Sequence, residues 1–131
     1  MKKIAVIGTG LSALSLVHHL PALDITFFEK SWRPGGRIST RRHDNYIFDH
    51  GAHYLKQDHG VIGLNEFLEK INATKILKGD FCPNILNQSP IEEKEVIVGQ
   101  KGIESIPLEL HKRLRYPTKF STQIKKIKNY K

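Results

Sequence analysis

The 131 residues predict an α/β chain organised around a parallel sheet, and three observations carry that reading. An uninterrupted apolar run, Ile4 to Ile7, ends at Gly8. An apolar stretch of helical length, Leu11 to Leu20, follows at once, and Pro21 ends it. A β-branched and aromatic run, Ile25 to Phe28, then closes at Glu29. Strand, helix and strand in immediate succession make a βαβ unit, whose two strands lie parallel. A continuous apolar strand belongs to a sheet covered on both faces, and a helix apolar nearly all round is a buried one.

The remaining elements follow in order. Ser31 to Thr40, with Pro34, Gly35 and Gly36, reads as loop. Tyr46-Ile47-Phe48 is a third short strand that ends in Asp49-His50-Gly51-Ala52. Val61 to Ile71 has helical spacing at Leu64, Phe67, Leu68 and Ile71. Asn84 to Glu95 is the least structured stretch, Glu95 to Val98 a strand, Ile103 to Leu114 a helix and Lys119 to Ile127 a final strand. The expectation is one domain over residues 1–131. Its sheet strands lie near Ile4, Ile25 and Phe120, and a long insertion from Arg33 to Pro117 carries a glycine loop and a small helical cap.

Composition removes several function classes. With 39% apolar and 26% charged residues the chain reads as globular, and its length suits one domain. The longest uncharged run, Ile4 to Leu23, is broken by Gly8, Gly10, His18, His19 and Pro21, so it is a poor membrane span, and no small-residue cleavage site follows it. Cys82 is the only cysteine, which excludes an internal disulfide and a cysteine-based zinc site; a packed small residue in a reducing compartment, the cytoplasm, is expected. The net charge of +8 is local: Lys101 to Lys131 holds nine basic and two acidic residues, a net +7. No run of five basic residues occurs and only Tyr130 interleaves, so a solvated surface is expected, with neither nucleic acid nor membrane as partner.

The chemistry lies near the N-terminus. Gly8-Thr9-Gly10-Leu11-Ser12-Ala13 follows a strand and opens a helix in the pattern Gly-x-Gly-x-x-Ala. Gly8 permits the tight turn, Gly10 lets backbone approach a pyrophosphate, and Ala13 allows close helix–strand packing. The helix N-terminus offers free N–H groups to the anion. Glu29, nineteen residues after Gly10, is placed to accept hydrogen bonds from both hydroxyls of an adenosine ribose. Arg33-Pro34-Gly35-Gly36-Arg37 follows directly, where a plain nicotinamide-binding unit would enter another crossover; adjacent glycines let backbone pass close to a ligand, and Arg37 supplies a fixed charge for phosphate.

These segments, with Phe28-Glu29-Lys30, Ser39-Thr40-Arg41-Arg42 and Asp49-His50-Gly51-Ala52-His53-Tyr54, resemble the flavin-containing amine oxidase superfamily, in particular its renalase-like branch. Val98-Gly99-Gln100-Lys101-Gly102-Ile103 is similar to a later family segment in which a glycine turn precedes a helix. The resemblance implies a Rossmann-like sheet that binds FAD in extended form. Gly8, Gly10, Leu11, Ser12 and Ala13 would cradle the pyrophosphate; Glu29 and Lys30 would hold the adenosine ribose; Gly35, Gly36 and Arg37 would cover the pyrophosphate and ribityl side. Gly51, Ala52 and His53 would approach the flavin ring and Ile124 the adenine. It implies an oxidoreductase that takes hydride equivalents from a small reduced nitrogen substrate, with the redox step belonging to the flavin; it names no catalytic residue.

His50 and His53, with Asp49 and His59 nearby, lie in a strand-to-loop segment where a spacing of three does not share one face, so no metal site is expected. The family is much longer than this chain. The resemblance therefore implies the N-terminal part of a longer flavoenzyme and a complementing C-terminal polypeptide as partner. A dinucleotide-binding module without catalysis and an inactive gene remnant stand as alternatives.

Overall fold

The computed structural model describes residues 2–56, 64–81 and 92–128. His59, Cys82 and Tyr130 lie outside them. The chain opens as the sequence predicts: β1 (Lys3–Ile7), α1 (Leu11–His18) and β2 (Asp24–Phe28) form a βαβ unit in which Ile4 pairs with Ile25 and Val6 with Phe27 in parallel register. Much later in the chain, β8 (Thr118–Lys119) joins the other side of β2, also parallel, giving the order β1-β2-β8. The Rossmann-like parallel sheet is therefore present, with β2 at its centre. Ile25 and Phe27 are fully buried beneath Leu14 and Val17 of α1 and Leu110 of α3 (Ser105–Leu114).

The insertion between β2 and α3 holds more strand than its sequence predicts. The hairpin β3 (Ile38–His43) and β4 (Tyr46–Gly51) turns at Asp44, whose φ is 52°. Ile38 to Thr40, read as loop, is thus the start of a strand. β5 (Leu55–Lys56), β6 (Thr74–Phe81) and β7 (Glu92–Gly99) form an antiparallel sheet in the order β5-β7-β6, and α2 (Leu64–Ile71) packs Leu68 and Ile71 into a second core with Ile97, Ile103 and Ile106. Leu11 and Phe67 pack against both cores and join them.

β6 escaped the sequence reading because it lacks a buried-face alternation: Ile76 and Leu77, adjacent and so on opposite faces, are both exposed. It is held instead by an eight-residue register with β7, in which Lys78 lies opposite Glu95 and forms an ion pair at 2.5 Å. β7 correspondingly begins at Glu92, inside the stretch read as unstructured.

Three expectations are corrected. The strand placed over Lys119 to Ile127 is only Thr118–Lys119: the backbone N–H of Ser121 donates to Ser31 O and that of Thr122 to Glu29 O, Ser121 takes φ 51°, and the chain leaves the sheet. α1 is apolar all round in sequence but buries one side, leaving Leu16 62% exposed. β1, expected to be covered on both faces, is covered by α1 and α3 on one and leaves Ile7 53% exposed on the other; among the described residues it is also the edge of its sheet.

Candidate functional site

The turn from β1 into α1 is the centre of the site. Gly8 has φ 92°, which a side chain would strain, and its N–H donates to Phe28 O at 2.8 Å. Gly10 is the N-cap of α1 with an ordinary φ of −69°. Beyond its own stretch of backbone, no atom of the described residues lies within 4 Å of where its Cβ would be, so their packing does not call for glycine there; the vacant volume suits a ligand's close approach. α1 has no side-chain cap and no acidic residue in its first turn, which leaves its first N–H groups and the positive end of its dipole to an outside anion.

The glycine loop lies directly against this turn. Gly35 forms a bridge with Gly10 and donates its N–H to Thr9 O at 3.1 Å. Its φ is 131°, and a Cβ would stand 2.6 Å from Ile38 O, so only glycine fits without movement. Arg37 anchors the loop to the end of β4, where Ala52 N–H donates to Arg37 O at 3.2 Å. Its guanidinium is exposed and, among the described residues, has neither a hydrogen bond nor an ion pair. Arg33 and Arg42, by contrast, both pair with the buried Glu104.

Two cavities meet at Gly10, Gly36 and Arg37. One, of about 660 Å³, is walled by Leu11, Ser12, Gly35, Gly51 and Ala52; the other, of about 590 Å³, by Gly8, Glu29, Lys30 and Ile124. Twelve of the fourteen residues singled out in the sequence therefore line one connected region. Ala13 is half-buried in α1 and lines neither cavity; His53 is exposed and lines neither.

The structure adds residues that the sequence reading quoted in its motifs without counting them among the cofactor contacts, His50 being weighed there only as a metal ligand. Ser39 and His50 face each other across the hairpin, Oγ to Nε2 at 3.1 Å, on the wall of the larger cavity. Asp44-Asn45 was the available signal: a two-residue turn there fixes the register that sets Ser39 opposite His50. Thr9 is the second addition. Glu29 is 5% exposed, and its Oε2 accepts from both the N–H and the hydroxyl of Thr9, while Oε1 accepts from Ser31 N–H. Burial pushes the Glu29 carboxyl up, but the bonds from Ser31 and Thr9 outweigh it and hold the group below its ordinary value. Asp49 is likewise engaged, by Thr40 Oγ1 at 2.6 Å and Ile103 N–H at 2.9 Å. Among the described residues no group of three His, Cys, Asp or Glu side chains could hold a metal ion, and no helix is long and apolar enough to cross a membrane.

Residues 6–70, which run from the end of β1 through α1, β2 and the glycine loop into α2, match the NAD(P)-binding Rossmann-like domain family. This part of the chain is an NAD(P)-binding Rossmann-like domain. Around that domain the chain is similar to porphyrinogen oxidases. It is 30% identical over 115 residues to coproporphyrinogen III oxidase of Staphylococcus aureus, covering 83% of this chain and 23% of that protein. It is 31% identical over 115 residues to protoporphyrinogen oxidase 2 of Arabidopsis thaliana, covering 83% of this chain and 20% of that one. The chain thus spans about a fifth of the length of these curated relatives. A putrescine oxidase structure with bound putrescine superposes with a TM-score of 0.48 and 19% identity over 70% of this chain and 21% of that chain. The matched residues include the glycine turn, Glu29 and the loop at Gly35.

Proposed function

We propose that the chain is the dinucleotide-binding part of an FAD-dependent oxidoreductase. One observation carries the reading: the uncapped N-terminus of α1 and Arg37, which has no partner among the described residues, converge at Gly10 and Gly36, with a cavity on either side. A pyrophosphate between them would meet N–H groups from one side and a guanidinium from the other. The cavity at Gly8, Glu29 and Ile124 then takes the adenosine half, and the cavity at Gly51, Ala52 and His50 takes the other half. Because Oε2 of Glu29 is committed to Thr9, the ribose contact falls to Oε1, which has lone-pair capacity beyond Ser31. His53, exposed and off the cavity wall, is dropped as a flavin contact in favour of His50. When bound, the flavin supplies the electron-transfer chemistry.

The substrate we propose is a small reduced nitrogen compound, as the renalase-like resemblance implies; the porphyrinogen oxidases named above support oxidase chemistry in general. The partner we propose is further polypeptide that pairs with the free edge of β1. Among the described residues β1 pairs only with β2, which leaves the hydrogen-bonding groups of its other edge to a further strand. Titration of the purified chain with FAD and, separately, ADP tests the reading through flavin absorbance and Trp32 fluorescence. Uptake of both supports it; ADP alone limits the site to the adenosine half; uptake of neither overturns it.

A further inference from the structure

We propose that Glu104 is a positioning residue for the Gly35–Gly36 loop, an inference that rests on the dinucleotide reading for its ligand arm alone. Glu104 immediately precedes α3 and is 2% exposed. Its Oε2 pairs with Arg33 at 2.5 Å and its Oε1 with Arg42, which also donates to Lys101 O at 2.7 Å. Arg33 in turn donates to Thr40 O at 2.9 Å, and Glu104 N–H to Thr40 Oγ1 at 3.2 Å. The glycine loop, β3 and the start of α3 are therefore tied at one buried carboxylate.

Burying the Glu104 carboxylate is an expensive way to hold three elements together, even with Arg33 26% and Arg42 47% exposed to water, since apolar residues of similar volume often stabilise as well or better. Beside the core residues Ile103 and Ile106 the apolar solution was open to this sequence. The ionic solution adds direction. Arg33 stands two residues before Gly35, whose N–H bond to Thr9 O presses the loop against Gly10. A forked guanidinium fixed at both ends sets where Pro34 and Gly35 begin, which an apolar contact does not. The same carboxylate holds both Arg33 and Arg42, and of these three arginines Arg37 alone lines the two cavities.

The test compares Glu104→Gln with the apolar triple variant Glu104→Leu/Arg33→Leu/Arg42→Met. Thermal unfolding, amide exchange at Gly35 and ADP affinity are the readouts. The triple variant is expected to melt near the wild type, yet to lose protection at Gly35 and bind ADP about tenfold more weakly, because stability is restored and direction is not. Glu104→Gln is expected to lose both protection and affinity. A folded triple variant with wild-type exchange at Gly35 and wild-type ADP affinity overturns the proposal. So does failure of both variants to fold, which would make Glu104 a plain determinant of the fold. If the wild type takes up no ADP, the dinucleotide reading fails by itself, and exchange at Gly35 alone decides the role of Glu104.

Discussion

Glu29 grips Thr9 twice: one carboxylate oxygen accepts from both the backbone N–H and the hydroxyl, each at 2.7 Å, across 20 residues of sequence. The end of β2 thereby fixes the turn that begins α1. An acid placed by its spacing to meet a ligand is also a structural brace of the phosphate turn. Removing the hydroxyl with Thr9→Val leaves the carboxylate one donor short in a buried place, and a loss of about 1–3 kcal/mol is expected in urea denaturation at neutral pH. The Glu29 carboxyl is held below its ordinary value of 4.5, so its contribution is complete above that value and is lost as pH falls through the folded one. Glu29→Gln should flatten the acid limb of stability against pH. An acid limb identical to the wild type's would remove Glu29 from this role.

The two glycines that touch at the turn should respond in opposite ways. Gly10→Ala meets no atom within 4 Å and keeps a φ of −69°, so melting should stay near the wild type while ADP binding weakens. Gly35→Ala must adopt φ 131° and drive a Cβ to 2.6 Å from Ile38 O. A destabilisation of about 1–3 kcal/mol is expected there. Equal stability losses at the two positions would contradict the vacancy at Gly10.

Arg37 offers the sharpest separation of stability from binding. It is exposed and has no partner among the described residues, so Arg37→Gln should change stability by no more than about 0.5 kcal/mol. It should weaken ADP binding and reduce the dependence of that binding on salt, because an exposed cation acting on phosphate is screened. Isothermal titration at two salt concentrations checks both; an unchanged salt dependence would place the phosphates elsewhere.

How far the sequence was legible follows from the range of the interactions. β1, α1, β2 and the glycine turn are set by local pattern, and Gly8, Gly10 and Glu29 sit where the pattern put them. β6 is set by its partner: Ile76 and Leu77 on opposite faces carry no periodic signal until β7 is beside them. β8 shows the converse, since Ile124 and Ile127 flanked by lysines read as strand-like, while the bonds from Ser121 and Thr122 back to Ser31 and Glu29 turn the chain away. The ties from Glu104 to Arg33 and Arg42 span 71 and 62 residues and depend on the fold being made first.

The packing of α3 on the parallel sheet should make stability depend on pH near neutrality. His111 lies between Phe27 and Phe120, with Nε2 2.7 Å from Thr118 Oγ1, and so ties α3 to β2 and β8. Burial pushes its pKa below the ordinary 6.5. The unfolded chain therefore takes a proton at a pH where the folded chain still excludes it. Stability is complete above 6.5 and declines as pH falls toward the folded value. His18 adds a slope of the same sign: burial lowers it first, then His19, Arg113 and Lys70. His111→Gln stays neutral throughout, so denaturation midpoints measured between about pH 8 and 5 should fall less steeply than in the wild type. His18→Gln combined with it should flatten the curve further, leaving the acid limb of Glu29 in place. If His111→Gln keeps the full wild-type slope, the imidazole is not excluding its proton, and the contact of α3 with Phe27 and Phe120 is looser than these distances describe.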